Sequence, residues 1–90
     1  MRNIDLSARA EKFFKSRDKK QKKQISQKIA SLSEDAFPND SKALIGFSDY
    51  RRVDIGEYRI IYEVSGSDVL VIVIGKRNDG EVYRKFKRLF

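Results

Sequence analysis

The hydrophobic pattern of this chain changes halfway along its length, and this change limits the folds that the chain can adopt. In residues 6–33 the apolar positions recur with the spacing of amphipathic helices. In residues 50–75 they alternate with polar positions or form short runs between turn residues, which is typical of strands. The sequence therefore predicts helices followed by a run of strands, which is the α+β class.

Two helices are predicted in the first half, after a short opening strand in residues 1–6. Ser7 is a candidate N-cap for the first helix, whose apolar positions follow an i, i+4, i+7, i+8 pattern: Leu6, Ala10, Phe13 and Phe14. Asp18 is a candidate N-cap for the second helix, which extends to about Ser33. Its core-facing positions are Ile25, Ile29 and Leu32. We expect the two helices to form an αα-hairpin.

The second half predicts a sheet. Residues 36–48 contain the only proline and are predicted to be a loop. Three strands follow in residues 50–55, 58–64 and 69–75, joined by turns short enough for antiparallel hairpins. A polar turn over residues 76–80 contains Asn78-Asp79-Gly80. The tail then has apolar residues at helical spacing: Val82, Phe86, Leu89 and Phe90.

Together these elements predict a single α+β domain over residues 1–90. We expect the helices to group on one side of a twisted, mainly antiparallel sheet of about four strands, with a short helix at the C-terminus. The third predicted strand is apolar on both faces and is expected to be central. The other face of the sheet is expected to be open to solvent or a ligand.

The chain contains no Cys and no His. Without them it has no disulfide, no thiol nucleophile and no thiolate metal site. It also lacks the commonest general base near neutral pH and the commonest zinc ligand. A Ser-His-Asp hydrolase, a two-histidine ribonuclease and a zincin are therefore excluded. We expect no cofactor and no metal, so catalysis must use Arg, Lys, Tyr, Asp or Glu.

The net charge favours a polyanionic partner. Lys and Arg number 20 against 13 for Asp and Glu, which gives +7. Nucleic acid, an anionic membrane surface and an acidic protein are all compatible with this charge. The longest apolar run, residues 69–74, is too short to span a bilayer. The N-terminus lacks the apolar segment of a signal peptide. We therefore expect a soluble, cytoplasmic protein that does not act on membranes.

Strand alternation places several polar residues on one face of the predicted sheet. Arg59 faces away from the apolar side of its strand, and Arg52 and Asp54 share a face of the preceding strand. Arg77 follows the third strand, and a tight loop could bring the Tyr83 hydroxyl back beside it. Guanidinium groups that converge in this way can bind a phosphate through paired hydrogen bonds. The alternative interpretation is that these basic residues only solvate an exposed sheet face.

The order of short motifs resembles a known family. Residues 49–62, DYRRVDIGEYRIIY, resemble the YR-x-R-x-G-x-YR-hydrophobic-x-Y core of the RelE/ParE toxin superfamily. Residues 75–77 and 81–83, GKR and EVY, are similar to the GKR and VY end of its RelE branch. Residues 37–38 and 42–46, FP and KALIG, are similar to its P and K-x-L-x-G connection. The resemblance extends over essentially the whole chain.

The resemblance implies a toxin of a type II toxin-antitoxin system. RelE-branch members cut mRNA in the ribosomal A site, whereas ParE-branch members inhibit DNA gyrase. The implied function here is a ribosome-dependent endoribonuclease, with a ParE-like, non-cleaving gyrase inhibitor as the alternative. An inactive member that serves as a corepressor is a third interpretation. The implied partners are a RelB-like antitoxin, the ribosome and mRNA, and the antitoxin complex binds operator DNA. The C-terminal helix is expected to cover a groove that an antitoxin helix takes instead.

The resemblance also implies site residues. Arg59 and Arg77 take the positions of the motif arginines, Tyr83 takes that of the C-terminal tyrosine, and Arg52 takes the first of two basic strand positions. Asp54 departs from the family pattern, because the second basic residue is often found there. The two arginines are expected to stabilise charge, and either Tyr83 or Asp54 serves as the base. Residues expected to bind RNA are Lys76, Arg51, Lys19, Lys20, Lys22 and Lys23, although the four on the second helix also fit a solvated helix surface.

Overall fold

Three helices and five strands form within residues 1–78 and 80–89, which the computed structural model describes. Along the chain they are β1 (Asn3–Leu6), α1 (Ala8–Lys15), α2 (Lys19–Glu34), β2 (Lys42–Leu44), β3 (Phe47–Ile55), β4 (Tyr58–Ser65), β5 (Asp68–Lys76) and α3 (Glu81–Lys87). This succession of helices and then strands is the predicted α+β class.

Both predicted N-caps are confirmed. The Ser7 hydroxyl accepts a hydrogen bond from the Ala10 amide at 3.1 Å, at the start of α1. At the start of α2, the Asp18 carboxylate accepts from the Gln21 amide at 2.8 Å, and the Gln21 side chain accepts from the Asp18 amide. This reciprocal arrangement is a capping box, and it provides partners for amides that the helix itself leaves without one.

The described strands form one sheet in the order β1-β5-β4-β3-β2, with β1 parallel to β5 and the other neighbours antiparallel. The sheet is therefore mixed and has one strand more than predicted. The additional strand is β2, which lies inside the predicted loop of residues 36–48. Its three residues are too few to show a period of two. Gly46, at φ 80°, turns the chain into β3, which consequently begins at Phe47.

The helices do not group on one side of the sheet, and this prediction was wrong. α1 and α2 cover the face that carries Tyr58, Ile60 and Tyr62, whereas α3 covers the opposite face, where Val82 and Phe86 pack on β4 and β5. The reason is that β5 is apolar on both faces, so each face needs a cover. As predicted, β5 is an inner strand. The face opposite α1 and α2, which was expected to be open, is partly covered by α3.

A bulge in β5 increases the apolar area beneath α3. The pairing with β4 shifts between Ile61 and Tyr62, so that Ile72 and Val73 both join the cluster under α3.

On the other face of the sheet, α1 and α2 make more contacts with the sheet than with each other. The predicted αα-hairpin is therefore correct for the way the two helices are connected but not for the way they pack.

Two predicted positions near the C-terminus, Asp79 of the turn and Phe90 of the apolar tail, lie outside the described residues. Among the residues that are described, no helix has both the length and the apolar character needed to cross a membrane.

Replacing Tyr62 by Phe is expected to destabilise the fold. The Tyr62 side chain is fully buried, and its hydroxyl donates to the Ala36 carbonyl at 2.8 Å, which ties the end of the helical layer to β4. Loss of the donor leaves a buried carbonyl without this partner, at a cost of about 1–3 kcal/mol. Urea unfolding measures the change. Tyr58→Phe is the control, because the Tyr58 hydroxyl has no hydrogen-bond partner among the described residues. Equal losses in both variants would contradict this account.

Candidate functional site

The pairing of β3, β4 and β5 brings two of the predicted site residues together. Asp54 lies directly opposite Arg59, and Arg59 lies directly opposite Gly75. Residues opposite each other in an antiparallel pair extend to the same face of the sheet. The Asp54 and Arg59 side chains therefore meet on the face that α3 partly covers. Strand register, and not a loop, fixes their relative position.

Gly75 lets α3 approach the sheet beside Arg59. A Cβ atom at Gly75 would lie 3.5 Å from the Val82 Cβ and 3.6 Å from the Val82 Cα, so the backbones of β5 and α3 lie close together. Tyr83 follows Val82, and its hydroxyl accepts a hydrogen bond from Arg59 Nη1 at 2.9 Å. A Cβ atom alone would make ordinary van der Waals contact there, whereas a side chain that extends beyond Cβ would press against α3, which carries Tyr83.

Arg59 and Arg77 converge on one carboxylate. Arg59 donates twice to Asp54, from Nε to Oδ1 at 2.6 Å and from Nη2 to Oδ2 at 3.0 Å. Arg77 Nη1 lies 3.6 Å from Asp54 Oδ2, and the Arg77 amide donates to the Glu57 carbonyl at 3.0 Å. We call Arg52, Asp54, Arg59, Arg77 and Tyr83 the arginine cluster. The sequence had placed the Tyr83 hydroxyl beside Arg77, but it contacts Arg59.

The cluster carries more positive than negative charge. The hydrogen bond from Arg59 lowers the pKa of Asp54, against the effect of burial, and the charges of Arg59, Arg77 and Arg52 lower it further. The same hydrogen bond raises the pKa of Arg59, again against burial. Asp54 is therefore anionic and Arg59 cationic at neutral pH. The three guanidinium groups exceed the single carboxylate in charge, so the cluster can attract an anion.

Acidification is expected to remove the stabilisation that the Asp54–Arg59 pair provides. Because the folded-state pKa of Asp54 lies below its ordinary value of 3.8, the stabilisation is complete above that value and is lost as the pH falls through the lower folded-state pKa. Urea unfolding of the wild type and Asp54→Asn should differ at about pH 6, and the difference should shrink as the pH falls below 3.8. A difference that stays constant over this range would contradict the assignment.

The other predicted binding residues take different positions. Arg52 borders a small cavity of about 140 Å³ together with Asp54 and Lys42. Lys76 is exposed and lies opposite Tyr58 in the register, on the face that α1 and α2 cover. Arg51 donates to the Ser41 hydroxyl at 2.9 and 3.1 Å and does not join the cluster.

The lysines of α2 lie across the sheet from the cluster. Lys19, Lys20 and Lys23 are exposed, and Lys22 is partly exposed. The structure thus does not bring them to Arg59. In contrast, the sequence reasoning missed Lys42 as a site residue, although it lies opposite Arg52 in the pairing of β2 with β3. Recognising residues 42–44 as a strand would have identified it.

Comparison with known proteins identifies the family. A family model described as the ParE toxin of the type II toxin-antitoxin system parDE matches residues 4–80. The chain belongs to this family. It is therefore a type II toxin of the RelE/ParE superfamily, as its motifs predicted. None of the curated proteins matches in a direct sequence comparison.

Solved structures of RelE-type toxins share the fold of this ParE-family chain. The isolated RelE toxin of E. coli is 25% identical, with 100% of each chain covered and a TM-score of 0.77. The archaeal RelE–RelB complex from Pyrococcus horikoshii is 20% identical, with 87% of this chain and 97% of that chain covered and a TM-score of 0.77. The YoeB dimer from Staphylococcus aureus is 25% identical over 79% and 91% of the two chains, with a TM-score of 0.65.

Proposed function

We propose that this toxin is a ribosome-dependent endoribonuclease that cuts mRNA in the A site without a metal. The observation that carries the proposal is the arginine cluster, in which Arg59 bridges Asp54 and the Tyr83 hydroxyl while Arg77 approaches from the next strand. Two guanidinium groups beside a phenol are the groups needed to bind a phosphodiester and the adjacent 2′-OH. The reaction takes place in the cytoplasm, where the ribosome is.

The proposed reaction uses the RNA as its own nucleophile. The 2′-oxygen attacks the adjacent phosphorus, the bond from phosphorus to the 5′-oxygen breaks, and the products are a 2′,3′-cyclic phosphate and a 5′-OH end. The base, Tyr83 or Asp54, takes one proton from the 2′-OH directly or through a water, and a solvent water delivers one to the 5′-oxygen, so the protons balance. Arg59 and Arg77 stabilise the charge that develops on the phosphate oxygens. Arg77 is half-exposed and therefore accessible to the leaving group, which makes it the candidate for positioning the second proton.

The geometry favours Tyr83 over Asp54 at the 2′-OH. Both Asp54 oxygens already accept hydrogen bonds from Arg59, which lowers the pKa of the carboxyl and makes it a weaker base. The Tyr83 hydroxyl accepts from Arg59, so its own hydrogen remains available to orient a second oxygen.

We further propose that a RelB-like antitoxin neutralises the toxin. Three of the similar structures are complexes of RelE with RelB, and each was matched over most of this chain. The excess of basic residues here favours an acidic partner. A complex of toxin and antitoxin would then be the form that binds operator DNA.

The alternative function is inhibition of DNA gyrase without cleavage. The description of the matching family as a ParE toxin favours it, as does an acid at position 54, where the RelE branch often has a base. RelE-type and ParE-type toxins share one fold, so the fold alone does not separate these functions.

Primer extension on a translated mRNA after brief expression separates the two functions. Endoribonuclease activity is expected to produce cuts at discrete codon positions. Intact message together with DNA breaks and an SOS response would overturn the proposal in favour of gyrase inhibition. Arg88→Ala, which removes an exposed arginine outside the cluster, is expected to cut like the wild type.

A further inference from the structure

α1 is placed so that it contacts both the sheet and α3. β1 pairs with β5 only as far as Val71, and beyond that residue none of the described strands pairs with this edge of β5. α1 begins at the same point, where the Ser7 hydroxyl donates to the Ile72 carbonyl at 2.6 Å. Because α1 starts at the edge of the sheet, its side chains extend past β5 to the helix on the opposite face.

Two side chains of α1 contact α3 at Lys85. Arg9 Nη1 donates a hydrogen bond to the Lys85 carbonyl at 3.1 Å. The Lys85 ammonium lies 4.5 Å from the centre of the Phe13 ring, and this ring packs edge-on against the buried Tyr58 ring at 5.9 Å. A cation above an aromatic ring is attracted by the negative face of the ring. α3 is therefore joined to the helical layer on the other face of the sheet.

The Lys85 side chain is enclosed, although lysine side chains are mostly exposed. It is 21% exposed, and its ammonium lies 2.9 Å from Glu81 Oε1, one turn earlier on α3. The carboxylate and the Phe13 ring offset the loss of water around the ammonium. The contact between α1 and α3 is thus a packed contact with partners for its charge.

α3 depends on contacts with other elements because it is short. It has seven residues, and its N-cap, Gly80, provides no side-chain hydrogen bond. A helix of this length is not stable by itself in water. Val82 and Phe86 hold the side of α3 that faces the sheet. The contacts on its other sides therefore decide how firmly the rest of the helix is held.

Tyr83 and Lys85 lie on different sides of α3, because residues two apart on a helix do not face each other. Tyr83 contacts Arg59 of the arginine cluster, and Lys85 contacts Arg9 of α1. α3 is therefore held between the cluster and α1. A shift of the backbone at Lys85 also moves the Tyr83 hydroxyl, which is only two residues away.

We propose that Arg9 is a positioning residue, which holds α3 through the Lys85 carbonyl and thereby keeps the Tyr83 hydroxyl at Arg59. Its guanidinium acts from the side of α3 that faces away from Tyr83, so its effect on the reaction passes through the helix. The proposal rests on the proposed endoribonuclease function, in which Tyr83 orients the 2′-OH, and adds the contact that fixes Tyr83.

Single-turnover cleavage on programmed ribosomes tests the role of Arg9. Arg9→Ala is expected to lower the maximal rate about tenfold and to leave the half-saturating ribosome concentration unchanged, because a small displacement of a positioned group costs rate and not binding. The thermal midpoint is expected to stay the same, since Arg9 is exposed. Arg9→Lys keeps a cationic donor and is expected to recover most of the rate.

Lys12→Ala is the matched control, because it removes another exposed cation from α1. It is expected to cut like the wild type. An equal loss of rate in Lys12→Ala and Arg9→Ala would assign the effect to the charge of α1 and overturn the proposal. An unchanged rate in Arg9→Ala would overturn it as well.

A double-mutant cycle with Tyr83→Phe shows whether Arg9 acts through Tyr83. In the Tyr83→Phe background, Arg9→Ala is expected to lower the maximal rate by less than about twofold, because the hydroxyl that Arg9 positions is already absent. A further loss of about tenfold in this background would show that Arg9 acts independently of Tyr83, and it would overturn the proposal.

Hydrogen exchange of α3 provides a readout that does not depend on cleavage. The Arg84 and Arg88 amides donate within this segment, to the Gly80 and Arg84 carbonyls. They are expected to exchange about fivefold faster in Arg9→Ala, the effect of losing one typical hydrogen bond, and at the wild-type rate in Lys12→Ala. Unchanged exchange in Arg9→Ala overturns the positioning role and leaves the endoribonuclease intact. Absence of cleavage by the wild type overturns the proposed function, and the exchange rates then still decide whether Arg9 holds α3.

Discussion

Arg77→Ala is expected to lower mRNA cleavage by about 10²–10³-fold, the usual effect of removing one donor that stabilises a charged transition state. The side chain is 46% exposed, and its contact with Asp54 is long at 3.6 Å, so the fold depends little on it. Its loss should therefore reduce activity without reducing stability. Quantitative primer extension measures the cleavage, and thermal unfolding measures the stability.

The form of the Arg77 effect distinguishes catalysis from docking. If Arg77 stabilises the transition state, kcat falls and KM changes little, whereas a role limited to RNA binding raises KM alone. Arg77→Lys keeps the charge but loses the planar donor pair, so its activity should lie between those of the wild type and the alanine variant. Arg88→Ala is the matched control on an exposed arginine. Cleavage within about twofold of the wild type in Arg77→Ala would remove this arginine from the catalytic set.

Local signals made much of the fold predictable. The sequence correctly predicts Ser7 and Asp18 as N-caps. The alternation along β4 correctly places Tyr58 and Tyr62 on the buried face and Arg59 on the other. Both features depend on residues that are close in sequence, so residue type and hydrophobic period are enough to predict them.

The features that escaped prediction depend on contacts between distant residues. β2 has three residues and exists through its pairing with β3, so no period within it could reveal it. α3 covers the second face because β5 is apolar on both faces, and the bulge enlarges that apolar area by bringing both Ile72 and Val73 into the cluster with Val82. An apolar spacing shows that a helix has an apolar face but does not show which side of a sheet that face covers.

The candidate site also combines features that local patterns predict with features that depend on contacts between distant residues. Alternation predicted that Arg52 and Asp54 share a face, but the partners within the cluster depend on register. Asp54 pairs with Arg59 because the two lie directly opposite each other across β3 and β4, and Tyr83 reaches Arg59 because α3 packs closely on β5 beside Gly75. The contact of Tyr83 with Arg59 instead of Arg77 could not be read from the spacing of six residues between positions 77 and 83.

Tyr83→Phe and Asp54→Ala are expected to affect cleavage very differently. Tyr83→Phe removes the hydroxyl that contacts Arg59 and should lower the rate by about 10²-fold or more, the usual contribution of a group that transfers or orients a proton. Asp54→Ala should retain cleavage within about tenfold, because the carboxylate already accepts two hydrogen bonds from Arg59 and is a weak base. Single-turnover cleavage on programmed ribosomes compares the two rates.

The expected persistence of activity in Asp54→Ala has a second physical reason. The Asp54 carboxylate occupies the Arg59 donors that the proposed mechanism assigns to the phosphate, so the substrate must compete with it for them. Its removal frees these donors, and the resulting lower KM offsets the poorer orientation of Arg59. Asp54→Asn keeps the side-chain volume and checks that Arg59 remains in place. If both Asp54 variants lose cleavage by about 10²-fold while Tyr83→Phe keeps it, Asp54 is the base and Tyr83 only a binding residue.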